Sequence, residues 1–334
     1  MTDYKTLFGK KIKFQTTDLT MSTATEGELF YSDTDKDFKV GVIVQAWASG
    51  GDLNLARDNL GGAGTQTAGL VFGGDASMPP GSASDSPRNE SEEYDGSSWT
   101  EGSNLNTARS GLGGAGTQTA GLGFGGYTYP NNRSDASEEY NGSSWTEGSN
   151  LNQSRANVTG LGIQTAAIAY GGRDDASPPN SYDNTESYDG SSWTNLPTLN
   201  QALQFAGTSG GGTTTAAVVT TATGSPLVDY TEEYDGSSWT DVAKKGTARY
   251  NVGGAGIQTA FLAIGGGSNL TNVEEYDGTS WATRPSIATG RAKGAGGGTS
   301  ASAFLAGGRS PDSNLTEEWT GETITETAST IDFD

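Results

Sequence analysis

The sequence predicts an all-β fold, a six-bladed β-propeller that is closed by an N-terminal strand and carries a small N-terminal β extension. Three observations support this prediction. A unit of about 45 residues recurs six times, each unit holds four short β-like stretches with turn residues between them, and no unit has helical periodicity. A propeller blade is a small four-stranded antiparallel sheet, so one such unit is enough for one blade.

Each unit repeats the same order of residues. An Arg comes ten residues after a Trp, an apolar stretch then ends in Gly-Gly, and a Tyr follows that is five residues ahead of the next Trp. Asp-Gly or Asn-Gly pairs between Tyr and Trp predict a tight hairpin. The repeated residues are Trp47, Trp99, Trp145, Trp193, Trp239 and Trp281; Tyr94, Tyr140, Tyr188, Tyr234 and Tyr276, with Trp319 in the sixth Tyr position; and Arg57, Arg109, Arg155, Arg249 and Arg291.

The fourth unit departs from this order. Leu203 stands where the Arg is expected, and Val218-Val219-Thr220-Thr221 replaces the stretch that ends in Gly-Gly. We therefore expect a less regular and somewhat loosened fourth blade, present rather than missing.

The two ends of the repeat predict how the ring closes. The last unit ends at Trp319 with no Trp-bearing strand behind it, and Trp47 has no Tyr strand ahead of it. We expect residues 42–52 to supply the fourth strand of the last blade, which removes an exposed sheet edge. The predicted domains are an attachment segment with a β-hairpin at residues 1–41, the propeller at residues 42–320 and a C-terminal tail at residues 321–334.

The repeated Arg, Gly-Gly, Tyr and Trp resemble the Kelch repeat, over about residues 47 to 319. This resemblance implies strand one near the Arg, strand two ending at Gly-Gly, strand three at the Tyr and strand four at the Trp. The Kelch propeller is also similar to the central domain of galactose oxidase, whose copper site needs His ligands and a Tyr–Cys crosslink. The chain has no His and no Cys, so the resemblance implies no oxidase activity.

Composition excludes further classes. Lys and Arg total 19 against 40 Asp and Glu, a formal net charge of −21, which disfavours nucleic acid and anionic membranes as partners. No stretch has the length of a membrane span or a signal peptide. Without His and Cys we expect no zinc or copper site, and no cofactor. The alternating acids of residues 33–37 resemble a calcium loop but lack its Gly and closing Glu, so a hairpin tip is favoured.

The candidate ligand-binding residues lie in the loops between strands two and three, where the units differ most. Insertions on one face of a repeat protein are often its binding face, and neutral drift of the loops is the alternative. Tyr, Asn, Asp and Arg suit stacking on and hydrogen bonding to sugars or polar protein surfaces. The candidates are Tyr127, Tyr129, Asn131, Asn132 and Arg133 in the second unit, and Arg173, Asp174 and Tyr182 in the third.

The repeated residues themselves are assigned to structure. Because Trp, Tyr and Arg recur in nearly every unit, we expect them to make the packing contacts that all blades share, and not to form six sugar-binding sites. Glu92 and Glu93 could be paired carboxylates of a glycoside hydrolase. Because such pairs recur in other units, strand-face charges or partners of the repeated Arg are the favoured interpretation, and no catalytic residue is predicted.

The composition and the repeats of the chain resemble those of virion appendage proteins of tailed marine bacteriophages. The chain is rich in Gly, Ser and Thr, is acidic, and repeats Gly-Gly-Ala-Gly-Thr-Gln-Thr-Ala-Gly-Leu at positions 61 and 113. Residues 27–40 resemble a short hairpin near the start of phage fibre proteins.

The resemblance implies a non-enzymatic virion protein that is assembled in the host cytoplasm in multiple copies per particle. Residues 1–41 would hold other virion proteins, and the propeller would contact a host-surface glycan or protein. The alternatives are a purely architectural capsid or tail decoration, a carboxylate-based polysaccharide depolymerase and a cytosolic Kelch adaptor.

Overall fold

A computed structural model describes residues 13–14, 29–32, 37–76, 86–129, 132–174, 180–203, 210–223, 228–309 and 312–328. No helix occurs among these residues, so none of them forms a helix that could cross a membrane. The chain divides into two compact units, residues 47–319 and residues 1–46 with 320–334.

The unit of residues 47–319 confirms the six-bladed propeller. In blades 1 to 5 each blade is an antiparallel sheet whose strands lie in chain order, from strand one to strand four. The first three blades contain Gly61–Thr65, Ala68–Phe72, Ser91–Tyr94 and Trp99–Glu101; Gly113–Thr117, Ala120–Phe124, Ser137–Tyr140 and Trp145–Glu147; and Thr159–Ile163, Ala166–Tyr170, Thr185–Tyr188 and Trp193–Leu196. Blades 4 and 5 contain Gly210–Thr213, Ala216–Thr223, Val228–Tyr234 and Trp239–Asp241; and Gly253–Ile257, Ala260–Ile264, Val273–Tyr276 and Trp281–Arg284.

Blade 6 confirms closure by an N-terminal strand. Its first strands are Ala295–Gly298 and Ser302–Ala306, followed by Thr316–Ala328, and the next strand in the sheet is Asp37–Ser49. The backbone N–H of Gly50 donates to the carbonyl of Thr316 at 2.9 Å. The rings of Trp47 and Trp319 lie 5.5 Å apart, so this junction repeats the aromatic pair of the other blades.

The other unit confirms a small β extension. Strand Lys13–Phe14 pairs in parallel with Leu29–Ser32, which pairs antiparallel with Asp37–Ser49 in the register Leu29↔Val40. The predicted hairpin tip falls on residues 33–36, which lie outside the described residues, as do residues 329–334 of the predicted tail.

The repeated aromatic residues pack within and between blades. In blade 2 the rings of Tyr140 and Trp145 are cross-strand partners 5.0 Å apart, and Trp145 lies 4.9 Å from Phe72 of blade 1. The same contacts recur around the ring, for instance between Trp193 and Phe124 at 5.0 Å. Each such Trp therefore joins its own strand three to strand two of the preceding blade, which buries large apolar areas at the junctions.

The repeated Arg is a buried clamp inside its own blade. In blade 2 the Arg109 guanidinium donates to the carbonyls of Gly125 (3.0 Å) and Ala136 (2.6 Å) and forms an ion pair with Glu138 at 2.9 Å. The five Arg side chains are fully buried, and burial is the main cause that lowers the pKa of Arg155 to about 10, against the opposing charge of Glu186. All five are paired with Glu: Arg57–Glu92, Arg109–Glu138, Arg155–Glu186, Arg249–Glu274 and Arg291–Glu317.

The Gly-Gly pair has a geometric reason. Gly73 and Gly74 have φ angles of 63° and 95°, which directs the Gly73 carbonyl to the Arg57 guanidinium at 2.9 Å. The N–H of Gly74 in turn donates at 2.9 Å to the carbonyl of Arg109 in the next blade. A Cβ atom on Gly73 would lie 2.6 Å from that same carbonyl oxygen. Gly-Gly thus belongs to the junction as much as to its own strand.

The second Glu of the repeated pair joins neighbouring blades. Tyr140 donates to Glu93 of blade 1, Tyr188 to Glu139 of blade 2 and Tyr94 to Glu318 of blade 6, each at 2.5 Å. Burial, followed by the hydrogen bond to Glu318, raises the pKa of Tyr94 to about 12. Glu92 and Glu93 therefore have different structural partners, one within the blade and one across the junction.

Glycines pack the propeller axis. A Cβ on Gly114 would lie 2.6 Å from the backbone oxygen of Gly62 in blade 1, and one on Gly296 would lie 2.5 Å from that of Gly254. First strands of neighbouring blades approach so closely there that side chains have no room, as the glycine clusters of the sequence predict.

Blade 4 lacks both the Arg clamp and the Gly-Gly pair. Strand two runs on to Thr223 and strand three starts at Val228, so both strands are longer than in blades 1, 2, 3 and 5. Glu232 stays buried without an Arg, and burial raises its pKa, opposed by hydrogen bonds from the N–H groups of Asn200 and Gln201.

We expect Arg109→Leu to lower the free energy of unfolding by about 3–5 kcal/mol, because it leaves the buried Glu138 without its counter-charge. Urea unfolding of the full chain, followed by Trp fluorescence, measures the change.

The matched control is Arg284→Leu, which removes an ion pair that is 26% and 19% exposed on its two side chains. That control should cost about 1 kcal/mol or less. Equal losses in the two variants would contradict the assigned role of the clamp.

Candidate functional site

The loops between strands two and three lie beside the connections that lead from one blade into the next. The residue after Gly-Gly pairs with the residue after the Arg position, as in Asp75 with Asp58, Tyr127 with Ser110 and Arg173 with Ala156. Both sets of connections therefore share one face of the propeller, as the antiparallel order of strands requires.

The loops of blades 2 and 3 meet on this face. Strand Tyr127–Thr128 pairs with Asn132–Arg133, so Tyr127 lies opposite Arg133. The Arg173 guanidinium lies over the Tyr127 ring, 5.3 Å from its centroid, and Arg133 Nη1 donates to the Tyr182 hydroxyl at 3.0 Å. Arg173 and Ser181, the neighbour of Tyr182, form a β-bridge. We call Tyr127, Arg133, Arg173 and Tyr182 the Tyr–Arg cluster.

The other predicted site residues surround this cluster. Tyr129 is 78% exposed at the tip of the blade 2 loop, an unusual exposure for so large an aromatic side chain. Asn132 is exposed and pairs with Thr128 through its backbone. Asp174 accepts hydrogen bonds from the N–H and the side-chain amide of Asn180, both at 2.7 Å. Asn131 lies outside the described residues.

The Tyr–Arg cluster presents groups whose chemistry suits a polar surface. Cation–π stacking and a charge-assisted hydrogen bond hold two Tyr and two Arg side chains in place, which reduces the entropy lost on binding. The exposed Tyr129 ring offers an apolar face with a polar tip, a group that suits both sugars and protein epitopes.

On the same face, a ring of residues in the left-handed backbone conformation surrounds the propeller axis. Two positions after the Arg position, the chain has positive φ at Asn59 (53°), Gly111 (57°), Asn157 (51°), Asn251 (53°) and Lys293 (63°). Neighbouring members hydrogen-bond through their backbones, for example from the N–H of Gly111 to the carbonyl of Asn59 at 2.9 Å. Asn and Gly tolerate this conformation best, which explains why they dominate the ring.

These five residues line a shallow depression. Its cavity volume is about 20 Å³, room for about one water molecule. A cavity of this size is far smaller than the pockets that enclose small-molecule ligands. A ligand on this face would therefore contact the loops rather than enter the axis.

Sequence reasoning missed Asp58, which lies beside this depression and is 1% exposed. Lys293 Nζ and Arg309 Nε are 3.9 Å and 3.7 Å from its Oδ2 atom, and the carboxylates of Asp75 and Asp312 are also close enough to act on it. Burial is the main cause that raises the pKa of Asp58 to about 6. Its neighbour Asn59 donates to Asp58 at 3.0 Å and to Asp75 at 3.1 Å. The sequence does distinguish Asp58, because no other unit has an acidic residue directly after the Arg position.

Sequence reasoning also missed a buried Lys between blades 4 and 5. Lys245 pairs with Asp229, and the side chains are 0% and 4% exposed. Six residues after each Trp the other units have an aliphatic residue, namely Leu53, Leu105, Leu151, Leu199 and Ile287. Alignment of the units on their Trp would have shown Lys245 as the exception.

No group of three or more Asp and Glu side chains that could hold a metal ion is found in the described part of the chain. Most of the calcium-loop-like stretch, residues 33–36, falls outside it.

Comparison with known proteins leaves the family open. No protein-family model matches the chain, and no curated protein is similar to it in sequence.

We expect the Asp58 carboxylate to make folding pH-dependent. Its folded pKa of about 6 lies above the ordinary value of 3.8, so the folded state retains a proton that the unfolded state has released. Stability should therefore fall as the pH rises from about 4 to about 6, by about 3 kcal/mol. Asp58→Asn should remove this decrease.

Urea unfolding at several pH values between 4 and 7 measures this decrease in stability. Asp241→Asn, which changes an exposed carboxylate, is the control. The assignment fails if the variant and the wild type show the same pH dependence.

Proposed function

We propose that the protein is a non-enzymatic attachment protein, which uses the face carrying the Tyr–Arg cluster to bind a host-surface glycan or protein, or another virion protein. The main support is the meeting of the blade 2 and blade 3 loops, where Arg173 stacks on Tyr127 and Tyr129 projects 78% exposed beside them. Tyr127 and Tyr129 do not recur at the equivalent positions of the other blades, so the shared contacts of the propeller do not require them.

The propeller is, in this proposal, of the Kelch type. The contacts of the repeated residues support it, because Arg, Gly-Gly, Tyr and Trp each have a defined structural partner in the blade or at its junction. The same contacts explain why the pattern recurs without any catalytic role.

The burial and the contacts of Glu92 and Glu93 support a non-catalytic role for this pair. Glu92 is 1% exposed and paired with Arg57, and the neighbouring Glu93 accepts a hydrogen bond from Tyr140. A glycoside hydrolase needs two carboxyl groups that reach the substrate together. The ion pair of Glu92 and the hydrogen bond of Glu93 favour structural roles for both carboxyl groups.

Charge favours the same face for binding. The turns between strands three and four, on the opposite face, carry Asp95, Asp189, Asp235 and Asp277 and no Lys or Arg. The face of the Tyr–Arg cluster carries cationic side chains beside its acids: Arg88, Arg133, Arg173, Arg309 and Lys293. Repulsion of the acidic face from an anionic cell surface would turn the loop face toward it.

The phage context rests on the sequence resemblance. In this proposal residues 1–41 attach the protein to other virion proteins, and the propeller is displayed in many copies on the particle after assembly in the host cytoplasm. Several weak contacts per propeller then multiply into firm adsorption.

Adsorption of the fluorescently labelled full-length protein to candidate host cells tests the proposal. We expect saturable binding, and we expect Tyr129→Ala to weaken it about tenfold or more, as for an aromatic anchor. Ile163→Ser is the matched control, since Ile163 is 54% exposed at the end of strand one, beside the turn to strand two on the other face.

Adsorption that is unchanged in Tyr129→Ala and also in a variant with residues 127–133 replaced by Gly and Ser would contradict a binding role for this face. Absence of adsorption on every host, even with the protein displayed multivalently, would favour an architectural virion protein.

A further inference from the structure

We propose that Lys245 and Asp229 condense into an amide crosslink, which covalently ties strand three of blade 4 to the segment that enters blade 5. The inference is independent of what the propeller binds. It rests on the position, the contacts and the burial of these two side chains.

The pair is placed for reaction rather than for solvent-exposed charge pairing. Lys245 Nζ contacts Asp229 Oδ1 and the hydroxyl of Thr220. The side chains of Lys245 and Asp229 are 0% and 4% exposed, and the ammonium lies 5.6 Å from the centroid of the Trp281 ring. The acceptor carbon Cγ is one bond away from the contacted oxygen. Nucleophile and electrophile are thus held together where water is excluded.

The backbone holds the second carboxyl oxygen. The N–H of Lys245 donates to Asp229 Oδ2 at 2.7 Å. A backbone N–H in this position stabilises the negative charge that develops on this oxygen when an amine adds to the carboxyl carbon. The Thr220 hydroxyl, itself 3.1 Å from the Thr231 hydroxyl, lies against Nζ and can pass on the proton that the amine loses.

The other buried ion pairs of the propeller cannot react in this way. They use Arg, whose guanidinium stays protonated and is not an amine nucleophile. Burial lowers the pKa of Lys245 to about 8, against the opposing charge of Asp229, and burial also raises the pKa of Asp229. Burial therefore favours the uncharged form of both groups.

The condensation needs no further reactant. The amine lone pair forms the N–C bond at Cγ while the C=O π electrons move onto Oδ2. The C=O bond then forms again as the bond from Cγ to Oδ1 breaks. Oδ1 leaves as water, carrying the acid proton and one amine proton, and the other amine proton remains on the amide. Nothing is oxidised or reduced, and two buried charges are replaced by one neutral group.

The intact mass of the purified full-length protein tests the proposal. We expect the denatured protein to weigh one water molecule, about 18 Da, less than its sequence requires. Trypsin should then yield a branched peptide, residues 174–244 joined to residues 245–249. Lys245→Leu restores the residue of the other blades and should fold with the full sequence mass, as should Asp229→Ala.

One other reaction removes water, namely succinimide formation at the exposed Asp-Gly turns such as Asp95–Gly96. A succinimide persists in Lys245→Leu and opens in mild base, whereas the crosslink disappears in that variant and resists base. Recovery of the linear peptides, with Lys245 unmodified at the full sequence mass, would overturn the proposal and leave an ordinary buried ion pair.

Discussion

The buried Arg that five of the six blades share is the contact on which the rest of the propeller depends. Its guanidinium joins strand three to the end of strand two, and its own carbonyl accepts a hydrogen bond from the Gly-Gly pair of the preceding blade, as Arg109 does from Gly74. One residue thus fixes the inside of a blade and its junction. A charge at this depth is stable only with its Glu and its carbonyl partners all in place, so the Arg, Gly-Gly and Glu positions form one structural unit.

Blade 4 illustrates this dependence. Without the Arg there is no guanidinium for a turned Gly carbonyl to meet, and the Gly-Gly pair is missing as well. The strands continue past the point where the other blades bend, and Lys245 lies at a different place, where its side chain meets Asp229 and Thr220. The junction of blades 3 and 4 also lacks the Tyr–Glu bond, since Ser187 stands in the second Glu position. The contacts that hold this part of the ring therefore differ from those of the other blades.

Much of the fold could be predicted from the sequence because the same contacts are made in nearly every blade. Repetition shows the number of blades, and the unmatched Trp47 and Trp319 show how the ring closes. The candidate site was less accessible, because it depends on residues that occur once. That Arg173 lies over Tyr127 follows from how two adjacent loops meet, and no period in the sequence encodes it. Asp58 and Lys245 were detectable only as exceptions to the repeat, and their partners only in three dimensions.

The near-identity of the segments that start at Gly61 and Gly113 has a genetic consequence. Both contain the first strand of a blade at the propeller axis and make equivalent pairings with strand two. Recombination between two copies of the gene at such a segment, in register, keeps every junction intact and exchanges all the loops that follow. A crossover out of register would instead change the blade count and open a closed ring. The repeat therefore permits the loop face to diversify by shuffling while it selects against any change in the number of blades.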